Sequence, residues 1–95
     1  MDGTGLVLGL SRRRGQMNLR VEAPAALRPL IAEKGSISVD GVSLTVAALG
    51  RSWFEVALIP HTLERTTLGD RRRGERVNLE ADLIARYLAR ILESV

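Results

Sequence analysis

Two hydroxyls two residues apart, Ser43 and Thr45 in the run VSLTV, share one face of an extended segment whose other face carries Val42, Leu44 and Val46. Such a face either looks at water or lines a polar site. More hydroxyls, Thr62, Thr66 and Thr67, follow Pro60, and Asp82 stands at the end of the run RVNLEA. Hydroxyls donate or accept without bringing in a charge, so this set suits a neutral, flat ligand with several hydrogen-bonding edges. Asp82 could accept from a sugar-like hydroxyl or take a proton. It is also a favoured residue type for capping the helix that its sequel predicts, and by residue type alone that role has the greater weight. His61, the single histidine, follows a proline and has no carboxylate partner identifiable from spacing, so no nucleophile–His–acid set can be assembled.

The elements that must position these groups are short strands. Thr4–Leu10 alternates loosely and stops at Ser11–Gly15, a polar loop returning the chain into Met17–Val21 as a first hairpin. Ala25–Ala32 has helical spacing but contains Pro29, which limits it to about two turns. GSISV and VSLTV flank Asp40-Gly41, the dipeptide best suited to a two-residue turn. Ser52–Ile59 predicts a fifth strand, Pro60–Glu64 a single helical turn, and Arg76–Ala81 a sixth strand. A closing helix runs from Leu83 to about Leu92, with Leu83, Ile84, Tyr87, Leu88, Ile91 and Leu92 on one stripe and Arg86, Arg90 and Glu93 opposite. That stripe must be buried either on the barrel or on another subunit, and the two carry equal weight. The expectation is all-β: one domain over residues 1–95, with a six-stranded antiparallel Greek-key barrel (1–82), a short helix and a C-terminal α-helix (83–95).

Composition bounds the rest. Ninety-five residues make one domain, and 45% apolar content is enough to fold it. Without cysteine there is no disulfide, thiolate nucleophile or thiolate metal site, and one histidine cannot form a histidine cluster, so no metal is expected. No apolar stretch approaches the ~20 residues that span a bilayer, and no secretory leader is evident, so a soluble, cytoplasmic protein is expected. The net charge of +3 includes two triplets, Arg12–Arg14 and Arg71–Arg73, that a nucleic-acid-binding barrel could use. One Trp, one Tyr and one Phe are too few for a base-stacking platform, so that reading ranks low. A purely structural oligomerisation module is a third reading.

Three stretches, KGSISVDGVSLTV, LIPHTLERTTLGD and RVNLEADLIARYLARIL, with MDGTGLV at the start, resemble the riboflavin synthase family, specifically the second of its two tandem barrels. The resemblance covers essentially the whole chain. It implies trimers of two-barrel subunits with a C-terminal helix. Each barrel would hold one 6,7-dimethyl-8-ribityllumazine, and paired lumazines would exchange a four-carbon unit to give riboflavin and a pyrimidinedione, without metal or separate cofactor. By position, Ser43 and Thr45 would contact the ligand, with Ile59, His61 and Thr62 along the pteridine ring. Thr66, Thr67 and Leu68 would bind its polar edge through backbone groups, and Asp82 would meet the ribityl chain. Lys34 is a weaker ligand candidate, a solvated lysine being the alternative. Ser43 and Asp82 are the candidate catalytic residues.

The sequence also departs from that pattern. The first barrel and its cysteine are missing, with Ser43 at the matching position, and the family's Gly-His step is replaced by Met1-Asp2-Gly3. A hydroxyl is several pKa units from a thiol, so Ser43 offers no thiolate-like nucleophile at neutral pH. The expectation is lumazine or riboflavin binding with little or no turnover. Either the chain pairs with an N-terminal-type barrel or it self-associates as a dimer or trimer, and in the latter case a flavin-binding protein or an active homo-oligomeric synthase are the alternatives.

Overall fold

Alternation at period two builds the wall of this protein, and a computed structural model describes residues 2–13 and 16–93, Arg13 by its backbone alone. The six strands are β1 (Gly3–Arg13), β2 (Gln16–Glu22), β3 (Ser36–Val39), β4 (Val42–Leu49), β5 (Trp53–Leu58) and β6 (Arg76–Ala81). They close into an antiparallel barrel in the order β1-β2-β5-β4-β3-β6. The expected Greek-key barrel is therefore present. Closure leaves its paired strands without an open sheet edge, the hazard of an isolated sheet.

Inward residues fill the barrel. Val7, Leu19, Val21, Ile37, Val39, Leu44, Val46, Phe54, Val56, Leu58, Val77 and Leu79 form one buried cluster. Leu27 from the β2–β3 connection and Leu68 from the β5–β6 connection belong to the same cluster. Each buried aliphatic side chain contributes about 1.5–3 kcal/mol of transfer free energy, so this interior is the source of the fold's stability and is no ligand cavity. Gly5 shows how closely the wall packs: a Cβ there would lie 2.5 Å from Val21 Cγ1 and 2.7 Å from Leu79 Cδ1.

The Asp40-Gly41 turn forms as expected. Both residues have positive φ, +49° and +81°, and Val39 lies opposite Val42. Asp40 does more than turn the chain. Its Oδ1 accepts from the Asn78 backbone N–H at 2.7 Å and its Oδ2 from Arg71 Nη2 at 2.8 Å. The β3–β4 hairpin is thereby tied to β6 and to the second arginine loop, which takes Arg71 out of any solvated cluster.

Four expectations are revised. Strand β1 continues through Arg13, beyond the expected stop at Leu10, because after a bulge between Val7 and Gly9 it pairs regularly with β2 from Gly9–Arg20 to Arg13–Gln16; Arg14 and Gly15 lie outside the described residues. Strand β4 runs on to Leu49, past a bulge between Val46 and Ala48. The two-turn helix of residues 25–32 reduces to a 3₁₀ turn, Arg28–Leu30, since Pro29 can occupy the start of a helical turn but cannot extend one. After α1 (Pro60–Arg65) a second 3₁₀ turn, Leu68–Asp70, closes the connection.

The last helix, α2 (Leu83–Glu93), forms as expected, and Asp82 stands before it with its Oδ1 accepting a long, 3.4 Å bond from the Ile84 N–H. Residues 94 and 95 lie outside the described residues. The six apolar side chains of its stripe are 56–73% exposed, so the stripe is not buried on this barrel. An open cleft of about 480 Å³ lies between Leu88 and Leu92 of the helix and Pro29 and Leu30 of the 3₁₀ turn. No helix among the described residues is long and apolar enough to cross a membrane.

Candidate functional site

Since the interior is filled, any ligand must meet the outer wall. Ser43 and Thr45 point there and are exposed, with Leu44 and Val46 buried behind them. The tight turn fixes register, placing Ser38 opposite Ser43 and Ser36 opposite Thr45. Ser38 is in turn opposite Glu80 on β6. One face of three adjacent strands therefore carries four hydroxyls and a carboxylate.

Two shallow depressions meet at Ser43. One, about 180 Å³, is lined by Ser43, Leu44, Thr45, Ala57, Ile59 and Thr62. The other, about 200 Å³, runs from Ser43 past Ser36 and Ser38 to Glu80 and Asp82. The first is a small flat floor of Ala57 and Ile59 edged by hydroxyls. The second carries three serines and two carboxylates, Ser36, Ser38, Ser43, Glu80 and Asp82, set among Ile37, Ala81 and Leu83. Together they have the dimensions of one small-molecule site, at the lower end of the ~300–1,000 Å³ that such sites occupy.

Of the expected residues, Ser43, Thr45, Ile59, Thr62 and Asp82 come together here. Five do not line either depression. The Thr66 hydroxyl is committed locally, donating to the Thr62 carbonyl at 2.7 Å and accepting from the Leu68 N–H at 3.3 Å. Leu68 is a core residue, 1% exposed, and Thr67 is an exposed residue beside it. His61 is exposed on α1. Lys34 is exposed and has a positive φ of 68°, its N–H donating to the Val46 carbonyl at 2.8 Å.

Three polar groove residues were not singled out from the sequence: Ser36, Ser38 and Glu80. The serines were within reach, because a two-residue turn after Val39 dictates the pairs 38–43 and 36–45. Glu80 depends on the pairing of β3 with β6, which no local pattern reveals.

Electrostatics around the Asp82 end are set by ordered carboxylates. Asp2 accepts from the Ala81 N–H at 2.8 Å and pairs with Arg86 of α2. The backbone hydrogen bond, followed by the arginine, holds its carboxyl below the usual carboxylate range. Elsewhere on the outer wall, a depression of about 260 Å³ lies over Arg20 and Glu55. There Arg20 Nε and Nη2 both lie 3.3 Å from Glu55 Oε1, and the guanidinium carbon sits 3.8 Å from the centre of the Trp53 ring. Among the described residues no cluster of His, Cys, Asp and Glu could hold a metal.

Residues 1–82 match the model of the lumazine binding domain. The chain belongs to the lumazine-binding domain family. Riboflavin synthase of Mycobacterium bovis is 47% identical over 97 residues, covering 99% of this chain and 48% of that protein. Riboflavin synthase of Brucella abortus is 41% identical over 93 residues, 98% and 46% of the two chains. This lumazine-binding domain thus spans about half the length of the curated relatives it matches. Among solved structures, LumP complexed with 6,7-dimethyl-8-(1'-D-ribityl) lumazine superimposes with a TM-score of 0.80 at 20% identity, over 86% of this chain and 46% of that one. LumP complexed with flavin mononucleotide gives 0.79 at the same identity. The two likenesses bear on the fold: the lumazine-binding barrel and this chain share their strand architecture.

Proposed function

We propose that this domain binds 6,7-dimethyl-8-ribityllumazine or riboflavin in the outer-wall groove, with the fused ring over Ala57 and Ile59 and the ribityl chain running past Ser38 and Ser43 towards Asp82. The groove's division into a part floored by Ala57 and Ile59 and edged by hydroxyls, and a part that adds the carboxylates of Glu80 and Asp82, joined at Ser43, carries this reading. Among the described residues the hydroxyls of Ser43, Thr45 and Thr62 have no protein partner, so a ring edge can take them without breaking an existing bond. The fold likeness to a protein solved with a ribityllumazine supports the same ligand class.

The domain acts as one half of a riboflavin synthase-type site. Joining two lumazines requires two grooves face to face, and one barrel offers one. Ser43 lacks the acidity of a thiol, and among the described residues the only titratable groups lining the groove, Glu80 and Asp82, belong to the second depression and not to the one over Ala57 and Ile59 where the ring sits. A single barrel therefore binds its ligand with little turnover and needs no cofactor. The exposed stripe of α2 favours association with a second barrel, either another copy or an N-terminal-type barrel, in a soluble cytoplasmic assembly.

The test is a fluorescence titration with 6,7-dimethyl-8-ribityllumazine in which each point is also sampled for new riboflavin. Saturable binding with no riboflavin is the expected result. Riboflavin at a catalytic rate would show that self-associated barrels complete the site. Absence of binding would refute the assignment.

A further inference from the structure

We infer that the groove discriminates against a phosphorylated side chain, accepting the neutral ribityl polyol and rejecting its phosphate monoester, with Glu80 and Asp82 as the specificity-determining residues. This rests on the flavin-site reading above. A ring seated over Ala57 and Ile59 directs its chain across Ser43 into the second depression, whose far rim is Glu80, Ala81 and Asp82. Among the described residues no lysine or arginine lines either depression. The guanidinium in the first turn of α2, Arg86, is already paired with Asp2, and Arg71 is paired with Asp40.

The start of α2 would be the other natural receptor for a phosphate, because its backbone N–H groups and dipole favour anions. Here that end already holds an anion of its own. Asp82 stands before the helix and its Oδ1 accepts from the Ile84 N–H. A chain ending in hydroxyls can donate to Glu80 and Asp82, which as carboxylates only accept. A chain ending in phosphate brings about −1.5 to −2 charge and no donor to spare, so it meets two like charges with nothing to offset them.

The experiment compares riboflavin with flavin mononucleotide, titrated into the same protein at low salt and followed by flavin fluorescence. Riboflavin is expected to bind at least about tenfold more tightly, the ratio shrinking as salt is raised to ~0.5 M because rim charges are screened. Glu80→Gln should shrink the ratio about threefold at low salt and Glu80→Lys should shrink it further, each ratio being taken between the two flavins on the same variant so that a loss common to both cancels. Glu80 is exposed on a strand, so neither substitution threatens the core, and the wild-type salt series needs no variant at all. Equal affinities for the two flavins, or a ratio insensitive to both salt and Glu80→Lys, would overturn the inference while leaving the flavin site standing. Failure of both flavins to bind would overturn the site and the inference together.

Discussion

Two polar regions share the outer wall of this barrel and differ in whether their groups are already satisfied. Around β2 and β5, Glu55 is almost fully buried, Arg20 lies against it, and the guanidinium stacks on Trp53. Around β3 and β4, Ser43 and Thr45 stand exposed beside unfilled depressions, and their hydroxyls have no protein partner among the described residues. The first region has the signature of stability and the second of recognition. Polarity alone does not mark a site; polar groups left with bonding capacity do.

Substitutions on the two sides should separate stability from binding. The largest effect is expected from Glu55→Ala, which removes a carboxylate hydrogen-bonded to a half-exposed arginine. Unfolding free energy from urea denaturation should fall by about 2 kcal/mol while lumazine affinity stays within twofold. Loss of binding in a folded Glu55→Ala protein would mean that the two regions are not independent. Next, Ser43→Ala and Thr45→Ala should each weaken lumazine or riboflavin binding by about 1–2 kcal/mol and leave stability within ~0.5 kcal/mol. Unchanged affinity in both would remove them from the site.

The smallest effect concerns Asp2. Its folded-state pKa is depressed, so the stability it contributes is present above the unfolded carboxylate value and is lost as pH falls through the lower folded value. Thermal stability of the wild type should therefore drop below about pH 4, and Asp2→Asn should flatten part of that drop. Identical acid profiles in the two proteins would show that the Ala81 and Arg86 contacts contribute nothing measurable.

The sequence made the strands legible where period-two alternation met a decisive turn, as at Asp40-Gly41. It was less legible where a single side chain could be satisfied in two ways. Thr66 follows the single helical turn and looks like another pocket hydroxyl, yet its oxygen closes that turn by bonding Thr62 and Leu68. Leu68 is three residues from Arg65, in a segment that reads as loop, yet its side chain belongs to the buried core. Both depend on where the β5–β6 connection crosses the barrel, a non-local fact. The outward direction of Ser43 and Thr45 was available from alternation, but whether they faced a depression or open solvent was not, because that depends on where Ala57, Ile59 and Thr62 of the neighbouring strand and its connection come to lie. The α2 stripe was clear from its spacing, but its partner depends on a surface beyond the helix itself.

The most direct test of the central claim, that the ligand site is the outer face of the β3–β4 hairpin, is a titration of ¹⁵N-labelled protein with riboflavin followed by amide chemical shifts. The account predicts saturable shifts at Ser38, Ser43, Thr45 and the Ile59–Thr62 segment, with Arg20 and Glu55 unmoved. Shifts centred on Arg20, Glu55 and Trp53 instead, or none anywhere at saturating ligand, would contradict it.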